Sequence, residues 1–390
     1  MKKIYMDYNA TSPLHPEVLD AMLPFLKDNF GNPSSIHWAG RCVTKYVEEA
    51  REKVANLLNA HPTEIVFTGG GSESDNFAIK GVAYALKDKG THIITTQVEH
   101  PAVLNTCAYL EKIGYEVTYL PVDREGMIDL DELKSSITDR TILLSVMYAN
   151  NETGNILPIK EIGEITSDRG ILFHTDAVQA VGKTAIDSKD LKVDLLSMSG
   201  HKLYGPKGVG SLYVKKGTML IPLIHGGHQE RNRRAGTENT PGIVGLGKAC
   251  EVGKRDVEYQ SRYLANLRDT LHKRIIDKLD HVILNGHPTE RLPNTLNLNF
   301  EFVEGEALLI SLDLEGVAVS TGSACSSGSV GPSHVLTAMG VPSETAQGSI
   351  RFSLGKDNTE EDIEHVIGVL PNIVTRLRSM SPLYPGKGSE

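Results

Sequence analysis

Val193-Asp-Leu-Leu-Ser-Met-Ser-Gly-His-Lys202 is an apolar run that closes on small polar residues and a lysine. Val193 to Leu196 reads as a strand, and Ser197-Met198-Ser199-Gly200-His201-Lys202 carries it into a loop. Upstream, Ile171-Leu-Phe-His-Thr-Asp176 has the same form, an apolar run closed by an acid. Working outward, the pattern alternates. Strands are predicted at Glu64–Thr68, His92–Thr96, Glu116–Val122 and Thr141–Tyr148. Helices are predicted at Ser72–Leu86, Val103–Ile113, Leu130–Ile137 and Ile159–Thr166. Such alternation implies an α/β fold around a mostly parallel sheet with helices on both faces. Ligands of such sheets bind at the carboxyl ends of the strands. His100, Asn151, Asp176 and Lys202 each follow a predicted strand, so they are expected to share one crevice.

That set of side chains suits one cofactor. A lysine in a polar loop can form a Schiff base with pyridoxal phosphate, and an acid at a neighbouring strand end can hold the proton on its pyridine nitrogen. Ser199 and His201 flank the lysine as phosphate donors. Gly69-Gly-Gly-Ser72 lies between a strand and a helix, where glycine lets the backbone approach a phosphate and the helix start offers free N–H groups. The G-x-G-x-x-G dinucleotide pattern breaks at Ser74, which argues against a nicotinamide enzyme. His100 is placed to stack on a flat ring and exchange protons. Gln179 is placed to reach the phenolic oxygen, and Asn151 to touch the ring. Arg351 lies in a strand expected to be partly buried, where a guanidinium needs an anion: a substrate carboxylate or a structural ion pair. Cys325, in Ser320-Thr-Gly-Ser-Ala-Cys-Ser-Ser-Gly-Ser329, decides which pyridoxal chemistry is run. It is a candidate thiolate nucleophile.

The chain has 390 residues, enough for two packed domains. After about Asp280 the alternation gives way to a mixture: strands His281–Leu284, Thr295–Phe300, Val317–Ser320 and Ser349–Ser353, and helices Gly305–Leu314 and Thr359–Arg378. A long helical region from Pro241 to Asp280 connects the parts. The expected division is a large cofactor-binding domain over 15–258 and a small α+β domain over 259–390, joined by residues 1–14 and carrying the Cys325 loop. The net charge of −9 gives no support to nucleic-acid binding. Four widely spaced cysteines, Cys42, Cys107, Cys250 and Cys325, with no CxxC pair, point to a reducing compartment. The start, Met1-Lys-Lys-Ile-Tyr-Met-Asp7, lacks an apolar core, and no apolar run reaches membrane-spanning length, so a cytoplasmic location is expected. His225-Gly-Gly-His228 has no third or fourth ligand at usable spacing, so no metal site is expected. Gln229-Glu-Arg-Asn-Arg-Arg234 reads either as a solvated face or as anion contacts across a dimer interface.

Assembled, these stretches resemble the NifS/IscS-type cysteine desulfurases. The resemblance runs from Tyr5-Met-Asp-Tyr-Asn-Ala-Thr11 and Asn32-Pro-Ser-Ser-Ile-His37 through Glu99-His100, His174-Thr-Asp-Ala-Val-Gln179 and Ser199-Gly-His-Lys202 to Ser323-Ala-Cys325 and Arg351-Phe-Ser-Leu-Gly355. It implies the fold-type I pyridoxal-phosphate architecture with a seven-stranded sheet, a homodimer, and conversion of L-cysteine to L-alanine with the sulfur left as a persulfide. By the same resemblance Lys202 is the Schiff-base lysine, Asp176 the pyridinium partner and His100 the stacking base. Asn151 and Gln179 are ring contacts, and Asn151 also contacts substrate. Gly71, Ser72, Ser199 and His201 are phosphate contacts, Thr237 is a phosphate ligand lent by the other subunit, Arg351 is the carboxylate clamp and Cys325 the persulfide carrier. Ser72 stands where threonine is common, which keeps the hydroxyl. The Gly227-His-Gln-Glu-Arg231 and Arg234-Ala-Gly-Thr-Glu-Asn239 stretches look closer to the NifS branch. The implied sulfur acceptor is an iron–sulfur scaffold protein, and transient iron ligation by Cys325 stays open. Selenocysteine lyases and small aminotransferases are the nearest alternatives, and a transaminase has no use for Cys325. A sulfur-delivery scaffold without turnover is the alternative outside the class, and it has no use for Lys202, Asp176 and His100.

Overall fold

A computed structural model describes residues 2–321 and 332–385. The central sheet has seven strands in the order Ile65–Thr68, Gly210–Val214, Leu195–Ser199, Leu172–Asp176, Thr141–Ser145, His92–Thr96, Glu116–Leu120. The last five are mutually parallel. Gly210–Val214 is antiparallel to both neighbours, which makes the sheet mixed at one end. Strand periodicity does not signal Gly210–Val214, because it begins on glycine and follows a Pro-Lys-Gly turn. The strands alternate between two cores as a pleated sheet must. Val66, Ile93, Leu143, Leu195 and Leu212 face the helices Gly71–Ala85 and Pro101–Lys112. Phe67, Ile94, Leu144, Leu196 and Tyr213 face the helices Trp38–Leu58 and Ile159–Arg169 on the opposite side. Thr141–Ser145 ends sooner than its apolar run, although the Val146 and Tyr148 N–H groups still donate to the His174 and Asp176 carbonyls of the neighbouring strand.

A second core forms around a four-stranded antiparallel sheet ordered Ser320–Thr321, Ser349–Ser353, Thr295–Phe300, Val282–Leu284. Helices Gly305–Leu314 and Glu360–Met380 cover it. The N-terminal strand Ile4–Tyr5 pairs in parallel with Val317–Ala318, and Ile4 and Met6 enter the same core. The 37-residue helix Thr240–Ile276 links the two cores. Ile243, Leu246, Ala249 and Cys250 pack into the first, and Leu264, Leu267, Leu271 and Ile275 into the second. Residues 6–12 therefore cross from the second core to the crevice of the first.

The charged run Gln229 to Arg234 is only in part a solvated face: Arg231 and Asn232 are exposed, but Glu230 is not. Glu230 is buried and receives Arg51 through both guanidinium nitrogens, at 2.7 and 2.8 Å. Its Oε2 also accepts from the Phe67 N–H at 2.9 Å, and Arg51 lies 4.6 Å over the Phe67 ring. Arg231 pairs with Glu48, and Arg234 with Glu73. The clamp holds three consecutive residues, Glu230, Arg231 and Asn232, at φ of +46°, +57° and +64°, a conformation that non-glycine residues adopt at a cost. Removing one partner leaves the other buried and uncompensated. Glu230→Gln is expected to lower the unfolding free energy by about 3–5 kcal/mol. The double variant Arg51→Met/Glu230→Met should lose less than the two single losses added together, as measured by denaturant titration.

Candidate active site

The carboxyl ends of the parallel strands open into a cavity of about 190 Å³. Its walls include Gly71, Ser72, His100, Asn151, Asp176, Gln179, Ser199, His201 and Lys202, together with Asn9, Asp75, Met147, Ala149 and Val178. One register explains much of this convergence. Asp176 sits opposite Ser197 on the neighbouring parallel strand, and Lys202 follows on the turn Gly200–Lys202. Thr237 is exposed and lies outside these walls, as does Arg351. Cys325 lies outside the described residues.

One end of the cavity is built for an anion. Helix Gly71–Ala85 begins there, and Gly70 enters it at φ +149°, open only to glycine. A Cβ on Gly71 would stand 2.7 Å from Val178 Cγ2, so a side chain there would collide with the wall. The free N–H groups of the first turn carry the positive end of the helix dipole. The hydroxyls of Ser72 and Ser199 join the same walls. Burial, with Lys202 and Lys207 nearby, pushes the His201 imidazole down to about 4, so it is neutral at physiological pH. Its Nδ1 meets Thr11 Oγ1 at 3.2 Å, and its carbonyl accepts the Ser12 N–H and hydroxyl at 2.9 Å each. This donor set, neutral apart from the helix end, fits a phosphate group.

The other end is built for a protonated ring nitrogen and an amine. Asp176 is buried; its Oδ1 accepts the Val178 N–H at 2.9 Å. Burial raises its carboxyl above the ordinary range, while His100 and Lys202 pull it back. Asp75, on the second turn of helix Gly71–Ala85, is buried beside it and is pushed well above the ordinary range by burial and by Asp176. Both carboxyls are pushed up, Asp75 the further, because burial and the neighbouring acid penalise a second negative charge. A buried carboxylate calls for a cationic hydrogen-bond partner, which a pyridinium N–H supplies. The His100 imidazole is lowered by burial and caps helix Pro101–Lys112: its Nδ1 accepts the Ala102 N–H at 3.1 Å. The neutral ring therefore carries its proton on Nε2. Lys202 Nζ donates to the carbonyls of Asn9 at 2.5 Å and Ala10 at 2.7 Å.

Several site residues escape a motif search. Asn9 arrives from the opposite end of the chain and bonds Lys202, Gln179, Lys183, Asn151 and Thr295. It lies within the Tyr5–Thr11 stretch that carries the resemblance, but nothing local marks its role, since its neighbours Tyr8 and Ala10 belong to no regular element. Arg351 is fully buried and donates to Asp7 Oδ1 at 2.8 Å and to the Asn151 carbonyl at 2.9 Å. Its Nε has no partner among the described residues. Asp7 thus provides the ion pair that a buried arginine needs, and Arg351 stands behind Asn151.

Glu99 is the least expected buried acid. Its Oε1 accepts from Thr96 Oγ1 and the Met147 N–H at 2.9 Å each, while Oε2 has no partner among the described residues. Burial pushes its carboxyl from 4.5 up to about 8. Between those values the folded protein keeps a proton that the unfolded chain gives up, so stability is lost as pH rises through that window. Glu99→Gln mimics the neutral acid. The variant's thermal midpoint minus that of the parent is expected to rise as calorimetry is moved from about pH 5 to about pH 8.

The model of the class-V aminotransferases matches residues 4–366. The chain is 57% identical over 384 residues to the cysteine desulfurase IscS of Methanosarcina thermophila, covering 98% of this chain and 95% of that one. Among solved structures, a NifS-like protein superposes with a TM-score of 0.91 at 39% identity, covering 96% of this chain and 100% of its own. SspA in complex with cysteine superposes at 0.81 and 41%, covering 90% and 99%. With a parallel sheet, a lysine–aspartate cavity at its carboxyl edge and these likenesses over nearly the whole length, the chain belongs to the class-V aminotransferase family, among relatives named cysteine desulfurases.

Proposed function

We propose that this chain is a pyridoxal-phosphate-dependent cysteine desulfurase, which takes the sulfur from L-cysteine, releases L-alanine and carries the sulfur as a persulfide on Cys325. The observation that carries the reading is the single cavity that presents an amine, a buried acid, an imidazole and a helix N-terminus together. Bound there, pyridoxal phosphate would act as an electron sink for charge that develops at the substrate α-carbon.

The chain's own residues supply the rest. Gly71, Ser72, Ser199 and His201 would hold the phosphate. Lys202 would hold the cofactor covalently and, once released by substrate, its Nζ would take the α-proton and return one to the product. Asp176 would hold the proton on the ring nitrogen, the cationic partner that its buried carboxyl lacks among the described residues. His100 would stack on the ring, with its Nε2 proton available to the bound substrate. Asn151, which lines the cavity, and Arg351, which stands behind it, are assigned to the substrate carboxylate. Cys325, as thiolate, would attack the substrate sulfur: the new S–S bond forms, the C–S bond breaks, and a proton returns to carbon. The other thiols are poorly suited to that step. Cys107 is buried and pushed up to about 12, Cys250 is buried and also raised, and Cys42 is exposed away from the cavity.

We further assign the sulfur to an acceptor of the iron–sulfur scaffold kind. The exposed Thr237, outside its own chain's cavity, is assigned to the site of a second copy in a homodimer. A cytoplasmic setting, in which the lone cysteines stay reduced, agrees with this reading. No helix among the described residues is long and apolar enough to cross a membrane. The division of the chain near residue 258 falls within the helix that links the two cores.

Sulfide and alanine release from L-cysteine is the direct test of the function. Lys202→Ala is expected to lose the reducible covalent link to the cofactor and to lower turnover by several orders of magnitude; full turnover in that variant would refute the assignment. Cys325→Ser should still bind pyridoxal phosphate yet release almost no sulfide, since a serine hydroxyl is a far weaker nucleophile than a thiolate. Mass spectrometry of the parent protein after L-cysteine should find one added sulfur on the Cys325 peptide, removed by a reducing thiol. An added sulfur placed only on Cys42, Cys107 or Cys250 would overturn the mechanism.

A further inference from the structure

Lys183 is a buried amine bonded to two cavity-lining residues, Gln179 and Asn9, and the mechanism gives it no task. It follows the turn Ala180 to Gly182, and its carbonyl is fastened to the linking helix by the Ser261 hydroxyl at 2.6 Å. Its Nζ points inward, donating to Gln179 Oε1 at 2.7 Å and to Asn9 Oδ1 at 3.0 Å. No carboxylate pairs with it among the described residues. Burial, with Lys202 and Arg351 as neighbouring cations, lowers it well below the ordinary lysine range. An amine kept in so unfavourable a place asks for a reason.

The reason lies in the amide it touches. A carboxamide can be inserted either way round, and its neighbours decide which. Gln179 Nε2 donates to the Asn9 carbonyl at 3.0 Å, while Oε1 accepts from Lys183. Turned over, the amide would set oxygen against the Asn9 carbonyl and nitrogen against an amine that donates. Both bonds would be lost together. The Asn9 amide is fixed similarly: Nδ2 donates to the Asn151 carbonyl, and Oδ1 accepts from Lys183 and from Asn294 Nδ2. Lys183 thus joins the two residues that frame Lys202, whose Nζ shares the Asn9 carbonyl with Gln179.

We propose that Lys183 is a positioning residue that locks the Gln179 carboxamide with its N–H side toward the cavity, so that Gln179 serves the cofactor's phenolic oxygen as a donor only. The proposal rests on the pyridoxal-phosphate reading above. A donor held there favours the ionised phenolic oxygen and so lowers the pH at which the bound cofactor's visible absorbance titrates.

The test is that titration, read on the cofactor-loaded protein without substrate. Lys183→Met is expected to raise the midpoint by about one pH unit, and Gln179→Leu to raise it similarly. The double variant should shift by less than the two single shifts added together. A merely structural lysine would lower the thermal midpoint and leave the titration unmoved, and that result would overturn the proposal. Fully additive shifts would overturn it too, since Lys183 would then act independently of Gln179. Should Lys183→Met not fold, Lys183→Arg keeps the donor and is expected to titrate as the parent does; a midpoint displaced as far as in Gln179→Leu would count against the proposal. If the parent protein forms no visible adduct with pyridoxal phosphate, the cofactor reading itself falls, whereas an adduct with unshifted variants removes this inference alone.

Discussion

The parallel pairing of Leu172–Asp176 with Leu195–Ser199 is the constraint on which the rest of the site depends. It sets Asp176 opposite Ser197 and brings the turn bearing Lys202 to the same sheet edge. Side chains alternate with a period of two, so a slip of one residue would send Asp176 to the opposite face and Phe173 out of its core. The same core that fixes the register by burying Phe173 and Leu196 therefore fixes the distance between acid and amine. Function is indexed to hydrophobic packing rather than to any bond between the two groups.

Around that pair, burial pushes several other ionisable groups toward their neutral forms. His174, between Ser145 Oγ and Ser197 Oγ at 2.9 Å each, is pushed by burial down to about 3. His201 is neutral for the same reason, Glu99 is raised to about 8 and Glu152, which accepts from the Ser333 hydroxyl, to about 7. Asp75 is pushed well above the ordinary range by burial and by Asp176. Neutral neighbours leave the field of Asp176 and Lys202 little screened, which suits a site whose chemistry turns on placing one charge under a ring nitrogen.

The N-terminal segment has a role out of proportion to its length. Ile4 and Met6 anchor it in the second core, and three residues on, Asn9 reaches the cavity of the first. Ser12 then donates its N–H and its hydroxyl to the carbonyl of His201. One short stretch thereby ties the catalytic turn to the small sheet, where Ser353 Oγ accepts the Asn9 N–H.

Much of this was legible in the chain itself. Five parallel strands, the helices between them, and Thr295–Phe300 and Gly305–Leu314 follow from apolar periodicity, because each needs only its own residues to show which face is buried. Nine residues expected at the cofactor site do line one cavity, since each ends a strand, opens a helix or lies in the loop that follows a strand, and that carboxyl-edge position is a property of the fold class. Tertiary structure alone decided the rest. The antiparallel strand Gly210–Val214 exists because two flanking strands offer it hydrogen bonds, not because of its own pattern. Asn9 and Lys183 become site residues only when segments more than 170 positions apart meet, and Glu230 becomes a buried clamp only when Arg51 meets it across the first core. Charged and amide side chains look alike in sequence whether they face water or one another. Burial, which no local window contains, is what tells them apart.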